Sequence, residues 1–176
     1  MGYRTIAQPV SATYIEKKSE FIAQLQPVQT AEEAIAFLDS VRRAHRKARH
    51  NVYAYLVREQ NTSRYSDDGE PGGTAGLPIM EVIKAQGVVN CIVVVTRYFG
   101  GVLLGAGGLV RAYTQGCAVA LKAAQVVVME HSQRYLCEVG YALWDKVQYA
   151  MKSLPVRLLS SEFTTAVTFT ILVREK

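Results

Sequence analysis

Apolar positions along this chain switch several times between strict alternation and helical spacing, which predicts mixed strands and helices. Two strands are expected first, over residues 5–15 and 21–28, with Pro9 and Pro27 as punctuation. Thr30, followed three positions later by Glu33, forms a capping box that opens a helix. Ala34, Ile35, Leu38 and Val41 keep one face of that helix apolar. Val52, Ala54 and Leu56 then alternate with Tyr53, Tyr55 and Val57, a strand covered on both faces. Residues 59–73 read as a loop, and 74–86 as a short helix with Pro78 early and Gly87 as its C-cap. The unbroken apolar run 88–96 reads as a central strand. A long helix is expected over 107–124, with Leu109, Tyr113, Cys117, Ala120 and Ala124 inward and Arg111, Gln115 and Lys122 outward.

The pattern resets near Gln133. A strand carrying Tyr135, Cys137, Val139 and Tyr141 precedes a helix at 143–154 and strands at 156–159 and 163–173. One helix cannot cover three strands, so this unit calls for a further helix and strand, or for self-association through its sheet. Two domains are therefore expected, 1–131 and a shortened 132–176.

Composition adds class and compartment. With 49% hydrophobic and 20% charged residues the chain can fill a real core. No secretory signal is recognisable, and no apolar run approaches the ~20 residues of a membrane helix. Cys91, Cys117 and Cys137 are scattered among apolar neighbours, the usage of reduced thiols in a cytoplasmic protein. The net charge of +5 resides mostly before residue 61, where the run 42–49 holds Arg42, Arg43, Arg46, Lys47 and Arg49. Cations at a helix C-terminus complement its dipole; their density, with Tyr53 and Tyr55 nearby, also suits nucleic acid. His45 and His50 lie five apart, a poor spacing for a shared metal on one helix.

The conspicuous chemistry is glycine. Ten of the thirteen glycines fall between Gly69 and Gly108, all but Gly87 in two loops, SDDGEPGGTAGLP (66–78) and TRYFGGVLLGAGGLVRAY (96–113). Each loop runs into an expected helix N-terminus, where free N–H groups favour anions. Neither is a Walker A or dinucleotide fingerprint, and tight turns or close helix–sheet contacts account for glycines equally well. Asp67, Asp68 and Glu70 can hold Mg²⁺ or move protons, or simply form a solvated turn. Arg97 and Arg111 are expected to approach that acidic loop. Tyr98 and Phe99 are expected on opposite faces, with core packing preferred for both and base stacking the alternative for one.

These loops, with KKSEFIAQLQPV (17–28) and ARHNVYAYLV (48–57), resemble the YigZ/IMPACT family over nearly all of residues 1–125. The resemblance implies an α/β (α+β) protein: a ribosomal protein S5 domain 2-like N-terminal domain, then an incomplete ferredoxin-like β-α-β-β C-terminal domain. Its motif positions fall on Asp67, Asp68, Glu70, Pro71, Gly73, Thr74, Arg97, Tyr98, Gly100, Gly101, Gly105, Gly107, Gly108 and Arg111. It also implies a role near translation, because eukaryotic relatives regulate translation by competing for a co-activator of an initiation-factor kinase. The expected function is a non-enzymatic binding module in translation or its regulation, contacting RNA, the ribosome or a regulatory protein, without a cofactor. The alternative is a small-ligand receptor or hydrolase for a phosphate-containing substrate at the paired loops, with Mg²⁺ only in that case.

Overall fold

The computed structural model describes residues 2–174. Its elements run β1 (Tyr3–Ile6), β2 (Val10–Glu16), β3 (Ser19–Pro27), α1 (Ala31–Ala44), β4 (His50–Val57) and β5 (Thr62–Ser66). They continue through α2 (Gly76–Ala85), β6 (Cys91–Tyr98), α3 (Gly105–Ala123), β7 (Val126–Met129), β8 (Ser132–Val139), α4 (Tyr141–Met151), β9 (Val156–Phe163) and β10 (Val167–Arg174). The chain divides into two units, one spanning Tyr3–Val128 and the other built on the residues from Met129 onward.

In the larger unit an antiparallel five-stranded sheet has the order β2-β3-β6-β4-β5. The apolar run predicted to be central is β6, flanked by β3 and β4. Its residues alternate between two cores. Val93 and Val95 face the helices α2 and α3, packing with Phe21, Ala23, Val52, Ile79, Leu109 and Tyr113. Ile92 and Val94 face α1, packing with Leu38, Val41, Tyr55 and Val57. A strand covered on both sides needs no polar face, which is why alternation vanishes there.

Thr30 caps α1, its Oγ1 accepting from Glu33 N at 3.2 Å. Glu33 reaches back one residue further than the usual box, to Gln29 N at 2.6 Å. Ile35, expected inward, is exposed, and Ala34, Leu38 and Val41 carry the buried stripe.

Several boundaries differ from expectation. The first strand breaks at residues 7–9, so β1 leaves the large sheet and pairs with β7. β7 itself was unforeseen. The loop at 59–73 contains β5, an edge strand whose five residues include none that is buried.

The smaller unit runs β8-α4-β9-β10, with sheet order β8-β10-β9. β9 extends to Phe163 and β10 starts at Val167, which divides the residues expected as one last strand. Trp144 of α4 packs on Val167 and Phe169, with ring centroids 5.1 Å apart for the aromatic pair. Among the described residues no helix is long and apolar enough to cross a membrane.

Cys91 and Cys117 are fully buried, and Cys137 is half-buried. Burial pushes the Cys91 thiol up to about 12 and raises Cys117 as well, so neither forms a reactive thiolate near neutrality. Titration of the native protein with a chromogenic disulfide at pH 8 should therefore release at most one equivalent rapidly, from Cys137. All three thiols should react once denaturant is added. Rapid reaction of a second thiol in the native protein would contradict this core.

Candidate functional site

The acidic loop follows β5, and each of its carboxylates is engaged by the protein. Asp67 turns back onto the start of α2: Oδ1 accepts from Ala75 N (3.0 Å) and Gly76 N (2.8 Å), and Oδ2 accepts from Gly73 N (2.9 Å). α2 has no cap from its own N-cap residue, Ala75. The anion expected at this helix start is thus a side chain of the same loop. The helix must also approach β5 closely. A Cβ at Gly76 would lie 2.7 Å from the Ser66 carbonyl group, so only glycine fits without displacing backbone.

Asp68 adopts a left-handed φ of 44°. Its Oδ2 accepts from Asn51 N at 2.6 Å and its Oδ1 from Arg42 Nη2 at 3.2 Å. Its carbonyl accepts from His50 Nδ1 at 2.8 Å, which fixes the proton of that ring on Nδ1. Thr74 Oγ1 donates to the Pro71 carbonyl at 2.7 Å.

Glu70 is the deepest acid, only 8% exposed. Oε1 accepts from Arg97 Nη1 at 2.8 Å and from the Tyr113 hydroxyl at 2.7 Å, while Oε2 lies 3.9 Å from His50 Nε2. Burial and the adjacent carboxylate push the Tyr113 phenol far up, so it remains a donor at any physiological pH. Arg97, the last but one residue of β6, does approach the acidic loop as expected. Arg111 does not join it: it lines a separate cleft of about 270 Å³ with Tyr14, Glu16 and Lys17. Among the described residues no three His, Cys, Asp or Glu gather as a metal site.

The second glycine loop packs against the β2–β3 turn. A Cβ at Gly100 would lie 2.0 Å from the Lys18 carbonyl carbon, and Gly100 N donates to Ser19 Oγ at 3.1 Å. Gly101 and Gly105 take left-handed φ values of 87° and 71°, as Gly73 does in the first loop at 76°. A Cβ at Gly108 would press on Leu104, whereas one at Gly107 would make ordinary contact with Arg111. α3 begins without a side-chain cap.

A cleft of about 510 Å³ opens where the basic run meets the end of β6. Lys47 and Arg49 come from the α1–β4 connection, His50 from the start of β4, and Arg97 and Tyr98 from β6. Phe99 and Leu103 complete it, 54% and 83% exposed. Phe99 is therefore not core: β6 ends at Tyr98, so strand alternation no longer governs the next residue. Tyr98 is half-buried and bonded through its hydroxyl to His45 Nδ1 at 2.9 Å; His45 Nε2 in turn meets Gln24 Nε2 at 3.1 Å.

Of the basic run, Arg42 is tied to Asp39 and Asp68. Arg43, Arg46, Lys47 and Arg49 are exposed and make no ion pair among the described residues. With Glu70 offsetting Arg97 and Asp68 offsetting Arg42, the cleft's uncompensated charge is positive. The sequence supplied Lys47, Arg49, Arg97 and Tyr98 as candidates, and offered Phe99 beside Tyr98 as the alternative ring for base stacking. His50 and Leu103 join them only through the fold.

A buried charge stripped of its partner is costly, so Glu70→Ala should destabilise the protein by about 3–5 kcal/mol. Adding Arg97→Met should recover part of that loss by removing the stranded cation. Urea denaturation of the parent, both single variants and the double variant measures the coupling. Additive losses in the double variant would deny the pair its role.

Comparison with known proteins places the chain in a family. Residues 17–121 match the Impact N-terminal domain, and residues 137–176 match a domain of unknown function (DUF1949). The chain is 34% identical over 176 residues to the IMPACT family member YvyE of Bacillus subtilis, covering 99% of this chain and 81% of that protein. It is 44% identical over 119 residues to the IMPACT family member YigZ of Escherichia coli, covering 66% of this chain and 58% of that one. A crystal structure of a hypothetical protein superposes with a TM-score of 0.70 at 32% identity, over 98% of this chain and 85% of the other. This chain belongs to the IMPACT family.

Proposed function

We propose that the chain is a non-enzymatic binding module that contacts RNA in translation or its regulation, through the cleft at the end of β6. The observation carrying this reading is the convergence of Lys47, Arg49, His50 and Arg97 on one concavity with Tyr98 and Phe99. Cations supply a phosphate-directed, sequence-independent attraction, and aromatic rings supply stacking. Membership of the IMPACT family supports a place near translation, the role the sequence resemblance implies. The β8-α4-β9-β10 order supports a ferredoxin-like reading of the smaller unit, since it supplies the first four elements of a βαββαβ fold. We read the larger unit as ribosomal protein S5 domain 2-like on the same resemblance.

The Mg²⁺-assisted alternative draws less support. Asp67, Asp68 and Glu70 already accept from backbone, arginine and tyrosine donors, which leaves little carboxylate capacity for a cation. Any small phosphate ester would instead share the same cleft.

Fluorescence anisotropy with labelled single-stranded RNA across a salt series tests the proposal. Affinity should fall steeply as salt rises. The Lys47→Glu/Arg49→Glu variant should bind more weakly and reduce the slope of log K against log salt by about 1–2. Arg42 is a poor position for such a test, because reversing it also disturbs Asp68. Salt-independent binding, or none at low salt, would refute the RNA reading.

A further inference from the structure

Phe99 has a geometry that core packing does not explain. One side of its ring lies near the Arg97 guanidinium, with Cζ 5.7 Å from the ring centroid, and Arg97 is itself 5.5 Å from the Phe21 centroid on the core side. Arg97 thus forms a cationic layer between a buried phenyl ring and an exposed one. Arg97 is 7% exposed, its Nη1 is held by Glu70, and its Nε has no hydrogen-bond partner among the described residues. A planar cation beneath the ring fixes the platform at low entropic cost. More than half of Phe99 stays open beside Leu103, along the cleft wall that Lys47 and Arg49 also line.

The polar neighbours have a matching bias. With the Gln24 amide nitrogen donating to His45 Nε2, the proton of that ring sits on Nδ1 and is donated to the Tyr98 hydroxyl. The Tyr98 hydroxyl is thus engaged by His45. The cleft therefore combines one apolar stacking surface with cations, Lys47 and Arg49, that make no ion pair among the described residues. A volume of about 510 Å³ falls in the range of sites for small organic molecules, enough for one nucleotide. A lipid surface would be met by apolar side chains projecting from a convex face, whereas here Phe99 backs onto a buried arginine within a concavity.

Resting on the RNA reading above, we propose that this cleft is a single-nucleotide subsite for an unpaired base. The base stacks on the open face of Phe99 against Leu103, and its phosphate faces Lys47 and Arg49. Two consequences separate this from plain electrostatic attraction. A base locked in a duplex cannot offer its face, so single strands bind in preference to duplexes. Every base has a π-face, so oligouridylate and oligoadenylate both bind.

The test uses the full chain and fluorescein-labelled oligouridylate and oligoadenylate of about ten nucleotides, with an RNA duplex of equal length, at fixed salt. Single strands should bind about ten-fold tighter than duplex. Phe99→Ala should weaken single-strand binding by about ten-fold or more, the usual cost of losing one stacking ring. Its salt slope should stay at the parent value, because the phosphate contacts remain. Phe99→Tyr should bind like the parent, and Phe99→Leu like the alanine variant, which separates a ring from mere apolar bulk. If Phe99→Ala binds single strands as tightly as the parent while affinity still falls with salt, the subsite is overturned and the RNA reading survives. Equal affinity for duplex and single strand has the same meaning. Absence of binding to any RNA at low salt, or preferential sedimentation with anionic phospholipid vesicles, overturns both.

Discussion

The ion pair between Glu70 and Arg97 is the constraint on which the working face depends. It joins the acidic loop to the end of the central strand inside a low-dielectric interior, with Tyr113 of α3 as the third partner. Charges so placed require good geometry and satisfied lone pairs to offset the loss of hydration. Oε1 receives two donors, while Oε2 lies 3.9 Å from His50 Nε2 and, among the described residues, the buried Arg97 Nε has no hydrogen-bond partner. The pair therefore fixes the relative positions of β6, α3 and the loop more firmly than apolar contact alone would. It also explains how a guanidinium can lie between Phe21 and Phe99 without being drawn into solvent.

A second layer of constraint comes from side chains satisfying backbone. Asp67 completes the start of α2, Asp68 completes the start of β4, and His50 accepts its orientation from the Asp68 carbonyl. Gly76 and Gly100 let two loops press against Ser66 and Lys18 at distances that no side chain tolerates. Close approach thus accounts for Gly76 and Gly100 and a left-handed φ for Gly73, Gly101 and Gly105, while the acids are accounted for by capping and pairing. The chemistry left without an internal partner moves to the basic connection and the aromatic end of β6.

How much of this is legible in the sequence follows from how local each signal is. The capping box at Thr30, the apolar run of β6 and the glycine stop after α2 depend on residues within one element, and they are found where expected. β5 escapes because Thr62–Ser66 is an edge strand with no buried residue, so no apolar alternation marks it. β7 escapes because its pairing with β1 joins the two ends of the larger unit. Arg97 meeting Glu70 is readable in outline, since a strand end and its neighbouring loop tend to converge. Arg111 shows the limit of that logic: its position on α3 directs it to Tyr14 and Glu16 instead. The role of Asp67 is invisible before folding, because its three partners are backbone N–H groups at residues 73, 75 and 76.

Phe99 is the most instructive departure. Alternation assigns it to a face only while the strand continues, and the strand stops one residue earlier. Freed from the sheet, the ring could have folded onto Leu103 and covered both; instead each remains largely exposed beside Lys47 and Arg49, which make no ion pair among the described residues. Single exposed apolar residues are ordinary on any surface. Two of them adjoining a cleft, with a buried cation beneath one, form a combination that stability alone does not require. Burying that ring against another protein atom would have contributed to folding, since apolar area removed from water is worth about 25 cal/mol per Å². Area left open in this way is what the proposed nucleotide subsite requires.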